Sequence, residues 1–194
     1  MNNLKTNFGK TKVSLEDKTS LVQAVFSDVA KKYDLMNDFM SFGAHRIWKK
    51  ELIDFVNAQP QDMIIDVGSG TGDLINLLLK KKITNRIYSV DLNKEMLKYC
   101  KKKFNKKKIN FINANAEKLP FSDNFFDKYI ISFCLRNITD QKRGLREAYR
   151  VLKPGGIFYC LEFSTPEDNF VNTVYKEYKK NIIPWFGEKI AKNK

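Results

Sequence analysis

Asp66, the glycines Gly68, Gly70 and Gly72, and Asp91 are the residues whose types and spacing could do chemistry. The glycines stand in the run Asp66-Val67-Gly68-Ser69-Gly70-Thr71-Gly72-Asp73. Met63, Ile64 and Ile65 precede it, and Leu74, Ile75, Leu77, Leu78 and Leu79 follow. That order reads as a buried strand, a glycine-rich turn and a helix. Such a unit binds nucleotides, because glycine lets a ligand approach the backbone and the free N–H groups of the helix start face it. A tight strand-to-helix turn with no ligand is the alternative, but three glycines at alternate positions exceed what one turn needs. The dinucleotide fingerprint G-x-G-x-x-G is not met, since its third position is Asp73. A second apolar run, Arg86 to Val90, ends in Asp91. An acid there, roughly 20 residues past the glycines, is placed to accept both hydroxyls of a ribose.

The elements that must position these residues alternate along the chain. Strands are expected at about Met63–Val67, Arg86–Asp91, Ile109–Asn113, Asp127–Phe133 and Ile157–Phe163. Helices are expected between them at about Gly72–Lys81, Lys94–Phe104 and Gln141–Leu152, the last stopped by Lys153-Pro154-Gly155-Gly156. Before them, residues Met1 to Lys12 read as a floppy arm. Leu21, Val22, Val25, Phe26 and Val29 recur at helical spacing between Leu15 and Lys32, and Ile47 to Asn57 is helical again until Pro60. A last helix is expected from Asn169 to Ile183. The chain divides into an arm and helical cap over 1–59 and an α/β core over 60–194, together one domain.

Composition narrows the function classes. With 194 residues, 43% hydrophobic and 13% aromatic, the chain is long and apolar enough for one α/β core. No run approaches the roughly 18 apolar residues of a spanning helix, and no secretory signal is expected. The single histidine, His45, excludes a histidine-rich metal site, and no nucleophile elbow accompanies it for a Ser-His-Asp triad. His45 is expected to be a packing or hydrogen-bonded residue. Cys100, Cys134 and Cys160 have no paired or metal-like spacing and read as buried thiols in a reducing compartment. The formal charge of +13 comes largely in lysine runs, at 80–82, 101–103 and 106–108. These fall at expected helix ends, where lysine suits the dipole and the solvent. Attraction to an anionic membrane surface is the second reading, and RNA the third.

The pattern D-x-G-x-G-x-G with a ribose acid resembles the S-adenosylmethionine site of class I methyltransferases. Longer segments are more specific. Val25 to Asn37, containing Lys32-Tyr33-Asp34-Leu35-Met36-Asn37, and Ser41 to Lys49 resemble the ubiquinone/menaquinone biosynthesis C-methyltransferases. So do Asn115-Ala116-Glu117-Lys118-Leu119-Pro120-Phe121, Ile131 to Asp140 with Leu135-Arg136-Asn137-Ile138-Thr139-Asp140, and Tyr149 to Gly156. The resemblance runs from about Phe8 to Lys194.

The resemblance implies a three-layer, Rossmann-like α/β sheet under an N-terminal helical cap. It also implies methyl transfer from S-adenosylmethionine to a ring carbon of a polyprenylated quinol, either a methoxybenzoquinol or demethylmenaquinol. By resemblance Thr71, Asp91, Asn115, Ala116 and Ser132 contact the cofactor, while Gly68 and Gly70 shape its loop. Arg136 and Asn137 are the catalytic candidates, holding the quinol oxygen or a water; a structural loop capping the fourth strand is their alternative. Arginine is a poor free base, so its expected role is lowering a phenol's pKa by charge. Tyr33, Met36, Phe39, Met40 and Phe42 could form a lid or simply an N-terminal helix pair packed on the sheet. No metal and no nucleic acid are expected. A cytoplasmic protein at the inner face of a membrane fits the substrate, and a homo-oligomer or a quinone-biosynthesis complex stays open.

The family's sheet has seven strands and this chain offers five, so its C-terminal strands are expected to be missing and its substrate half incomplete. Two other classes compete with the quinol enzyme. One is a class I methyltransferase acting on another small molecule or RNA. The other is a truncated, non-catalytic binding subunit.

Overall fold

The computed structural model describes residues 5–8, 11–14, 17–21, 23–24, 37–38, 41, 43–83 and 86–163. The expected lid residues Tyr33, Met36, Phe39, Met40 and Phe42 and the helix from Asn169 lie outside the described residues, as does most of the expected helix from Leu15 to Lys32.

The expected floppy arm is instead a hairpin. Strands β1 (Lys5–Phe8) and β2 (Thr11–Ser14) pair antiparallel, with Phe8 opposite Thr11. A connection of two residues with a glycine is the length a tight hairpin uses, and that local signal was missed. Residues 17–21 and 23–24 are helical.

Helix α1 (Ala44–Val56) precedes the main sheet. Then come β3 (Ile64–Val67), α2 (Asp73–Lys80), β4 (Ile87–Asp91), α3 (Lys94–Lys103), β5 (Ile109–Asn113), β6 (Phe126–Ser132), α4 (Gln141–Val151) and β7 (Leu152–Leu161). The strand order is β5-β4-β3-β6-β7, and every pairing is parallel. Parallel strands need crossovers; helices supply three of them, on both faces, and the irregular segment 114–125 supplies the one from β5 to β6. The expected elements are present with ends shifted by a few residues.

The largest difference is β7, which begins at Leu152 instead of Ile157. Phe126 pairs with Leu152 and Lys128 with Ile157, so Lys153-Pro154-Gly155-Gly156 bulges out opposite Asp127 alone. Gly155 takes φ +80 there, and Lys153 Nζ reaches Asp127 Oδ1 at 2.8 Å. The stop signal is real, but it acts within a bulge that has no partner on β6, where proline costs no ladder bond.

On one face Ile64, Ile87 and Ile130 pack with Leu74, Ile75 and Leu78 of α2 and with Ile53 and Val56 of α1. On the other Ile65, Val67, Val90 and Ile131 pack with Ala148 and Val151 of α4. Each fully buried aliphatic side chain contributes about 1.5–3 kcal/mol. The helix starts are set locally. Asn93 caps α3 by accepting from the N–H groups of Glu95 and Met96 at 3.0 Å, and Asp140 caps α4 through Arg143 N–H at 2.9 Å. Arg150 of α4 donates to Glu147, Asp123 and the carbonyls of Leu119 and Phe121, fixing the loop after β5.

The lysines of the three runs are exposed, at and beyond the ends of α2 and α3. Cys100 is buried, but Cys160 is exposed, against expectation. Alternation along β7 buries Tyr159 and so turns its neighbour outward.

Candidate functional site

The strand order reverses between β3 and β6, the switch point at which open parallel sheets bind ligands beyond their C-terminal ends. A cleft of about 830 Å³, counted out to its mouth, lies there. Every strand from β5 to β6 supplies its carboxyl end. Gly68 and Gly70 follow β3, Asp91 ends β4, Ala114 to Glu117 follow β5, and Ser132 ends β6.

The glycine loop is held from below. Gly68 N–H donates to Val90 O at 2.8 Å, and Ser69 and Ser89 share a hydroxyl hydrogen bond of 2.7 Å. Gly68, Gly70 and Gly72 have φ of +70, +53 and +84, the left-handed region that glycine enters without strain. At Gly72 a β-carbon would also stand 2.6 Å from Phe104 and 2.7 Å from Cys100. Gly70 N–H donates to Asp91 Oδ2 and Asn93 N–H to Asp91 Oδ1, both at 2.8 Å. Burial pushes the Asp91 carboxyl above its usual range, against the pull of these two N–H groups. Each carboxylate oxygen keeps a second lone pair for a ligand hydroxyl.

The loop after β5 folds back on itself. Asn115 Oδ1 accepts Glu117 N–H at 2.9 Å, and Glu117 Oε1 accepts the N–H groups of Thr139 and Asp140 at 3.1 Å. Ala116 is thereby buried against the cleft wall. Ser132 Oγ is buried, faces the cleft and has no hydrogen-bond partner. A buried hydroxyl without a partner costs about 1–3 kcal/mol, and a bound ligand would recover it.

Thr71 is not in the main cleft. It lines a smaller cavity of about 360 Å³ with Lys49, Asp66 and Asp73, and the two share Gly68, Gly70, Ser132 and Phe133. Asp66 is buried, and its Oδ2 has no partner. Burial pushes its carboxyl up to about 7, against the nearby Lys49. Lys49 comes from α1 and binds Asp73 at 2.8 Å.

Asn137 lines the main cleft, with Nδ2 at 3.5 Å from Phe133 O. Arg136 lines neither cavity. It is exposed at the rim, where its guanidinium pairs with Glu162 at 2.5 Å. His45 is buried away from the cleft. Asp38 accepts from its Nε2 at 2.8 Å and from Arg46, which holds the Asp38 carboxyl far below its usual range. Cys134 lines the cleft, but burial pushes its thiol up to about 12, so it presents no thiolate.

Several lining residues were missed in the sequence: Thr19, Gln23, Asn93, Met96, Glu117 and Thr139. The N-terminal helical residues reach across the cleft, with Thr19 Oγ1 at 2.7 Å from Thr139 Oγ1 and Asn93 Nδ2 donating to Gln23 O at 3.0 Å. Only Asn93 had a local signal, as an N-cap two residues after the ribose acid. Phe133 was also missed. It takes φ +53, a left-handed conformation that costs a bulky residue about 1–3 kcal/mol and collects at functional sites.

Among the described residues no helix is long and apolar enough to cross a membrane, and no group of three His, Cys, Asp or Glu could hold a metal ion.

Solved structures with this fold include a SAM-dependent methyltransferase from Aquifex aeolicus, at TM-score 0.60 and 22% identity over 74% of this chain and 76% of that one. Another, from Methanosarcina mazei, gives TM-score 0.55 and 29% identity over 64% and 62%. By sequence the chain is 48% identical to a ubiquinone/menaquinone biosynthesis C-methyltransferase of Rickettsia bellii and 50% identical to that of Rickettsia prowazekii. Each match covers 97% of this chain and 79% of the relative. Residues 11–194 match one family, and on these grounds the chain belongs to the ubiE/COQ5 methyltransferase family.

Proposed function

We propose that this methyltransferase moves the methyl group of S-adenosylmethionine to a ring carbon of a polyprenylated quinol, of the methoxybenzoquinol or demethylmenaquinol kind. The relatives' names supply the substrate class. The observation that carries the donor is the cleft, where Gly68, Gly70, Asp91, Asn115, Ala116 and the unpartnered Ser132 hydroxyl converge on one nucleoside-sized space. When bound, S-adenosylmethionine supplies a methyl on a sulfonium, whose carbon–sulfur electron pair returns to sulfur as the ring carbon takes the methyl and then loses its proton.

The chain's own groups divide the remaining work. Asp91 accepts the ribose hydroxyls with its spare lone pairs. Asn115 and Ala116 flank the base, Ser132 Oγ donates to the methionine end, and Thr71 contacts the donor from the smaller cavity, which shares Gly68, Gly70 and Ser132 with the cleft. Arg136 sits at the rim, outside the donor cleft, which is where an acceptor must lie. There its charge favours a phenolate oxygen and so a more nucleophilic ring carbon. Asn137, beside it and lining the cleft, holds the acceptor or a water in line, and alignment of this kind supplies much of the rate. The same reading puts the protein in the cytoplasm at a membrane's inner face. The exposed lysines on the ends of α2 and α3 support it, because anionic headgroups attract clustered lysine.

The test uses purified chain, methyl-labelled S-adenosylmethionine, and short-tailed demethylmenaquinol or methoxybenzoquinol kept reduced by dithionite. Label in the extracted quinol, with none in bulk RNA, is the expected result. A chain that binds the donor yet labels neither quinol overturns the reading.

A further inference from the structure

Three aromatic rings from three separate elements meet beside the donor cleft, which one of them, Phe133, lines. Trp48 comes from α1, Phe133 follows β6, and Phe163 lies just past β7. Phe133 and Phe163 are stacked, with centroids 4.6 Å apart at 24°. Trp48 stands edge-on to Phe163 at 5.9 Å and 84°, and tilted to Phe133 at 6.4 Å. The Arg136 guanidinium lies 5.8 Å from the Phe133 centroid and 5.4 Å from that of Phe163. Trp48 is 37% exposed and Phe163 49%.

Two features mark this wall as more than packing. Its central ring is carried by the strained Phe133 backbone, and strain persists where surrounding structure holds it for a purpose. Phe133 also lines both cavities, so the wall continues directly into the space assigned to the donor. We infer that Trp48, Phe133 and Phe163 form the acceptor-ring site, where a planar aromatic diol stacks and directs one ring oxygen to Arg136. Offset and edge-on contacts suit a flat ring better than an aliphatic chain. The cation at the wall's edge meets an oxygen that a prenyl tail lacks. Phe133 itself lines the donor cleft, so a ring held by the wall abuts the donor with nothing between the two. This inference rests on the quinol reading above.

The experiment reads binding by fluorescence, apart from turnover. A Trp185→Phe chain leaves Trp48 as the single tryptophan. The probe is 2-methyl-3-prenyl-1,4-naphthoquinone, whose ring has no free carbon on the quinone side to be methylated or to alkylate a thiol. Saturable quenching of Trp48 is expected. Phe163→Leu, apolar but not aromatic, weakens the midpoint at least tenfold, and Phe163→Tyr restores it. Calorimetric affinity for S-adenosylmethionine stays within twofold in both, which also shows that they fold. A midpoint unmoved by Phe163→Leu overturns the inference, and so does displacement of the probe by geraniol at equal concentration. In the first case quinol labelling by the unaltered chain still stands, whereas failure of that labelling removes the quinol reading itself.

Discussion

Cys134 packs against Gly68 so closely that a β-carbon on the glycine would stand 2.6 Å from Cys134 Cβ and overlap its sulfur. Gly68 is therefore fixed twice, by this contact and by its φ of +70. Gly68→Ala combines left-handed strain with overpacking and is expected to cost about 3 kcal/mol. A fall in the urea midpoint, together with loss of calorimetric donor binding, checks this. Cys134→Gly in the same chain relieves the overlap but not the strain, so it recovers only part of the stability.

Asp66 gives the stability a pH dependence. Its folded carboxyl titrates at about 7, while an unfolded aspartate titrates near about 3.9. The folded state therefore holds the extra proton between those values. The contribution is fully present below the unfolded pKa and is lost as pH rises through the folded one. Asp91, also pushed up by burial, acts with the same sign. Melting temperature of the unliganded chain is expected to fall between pH 5 and pH 7. Asp66→Asn, nearly isosteric and never charged, flattens that fall. An equally steep fall in the variant would remove Asp66 as its source.

Lys49 and Asp73 tie α1 to the start of α2 from inside the small cavity, both mostly buried. Burial raises the Asp73 carboxyl, but Lys49 outweighs it and keeps the group below its usual range. Lys49→Met leaves the carboxylate with Lys103 at 3.9 Å in place of a close partner, and is expected to cost about 3 kcal/mol in urea unfolding. Adding Asp73→Asn returns part of that loss. The Lys49–Asp73 contribution is present above the unfolded aspartate pKa and disappears as pH falls through the lowered folded value. The two variants should therefore converge with the parent chain in acid.

Arg136 and Asn137 separate by kinetics. Arg136→Ala is expected to lower kcat on a quinol by about 10²–10³-fold, the scale of removing one charge-stabilising donor. Arg136→Lys recovers little, because a lysine cannot reproduce the flat fork that meets Glu162 and stacks on Phe133 and Phe163. Asn137→Ala is expected to cost about tenfold in kcat with donor affinity unchanged. Steady-state rates beside donor calorimetry check both, and a KM effect alone would make Arg136 a binding residue.

The strand–turn–helix over 64–80 was legible because every cue in it is local: an apolar run, glycines needing positive φ, and a 3.6-residue period. Asp91 was legible for the same reason, as an acid at a strand's end a fixed distance on. The β1–β2 hairpin was missed although its cue was local. The bulge that starts β7 at Leu152 could not be read, because only pairing with Phe126 decides that Lys153 to Gly156 extend instead of turning.

The sequence by itself determined the alternating α/β order, the glycine loop with its acid, and the family through its longer motifs. Tertiary structure decided what surrounds the ligand space. Lys49 reaches Asp73 across 24 residues, Arg136 reaches Glu162 across 26, and Thr19 meets Thr139 across 120. No periodicity reports such pairings, because they follow from which strand ends the parallel sheet sets side by side. Burial followed the same rule. The shift of Asp66, the orphaned Ser132 hydroxyl and the strained Phe133 backbone arise from what packs around them, and neighbours in sequence do not set that.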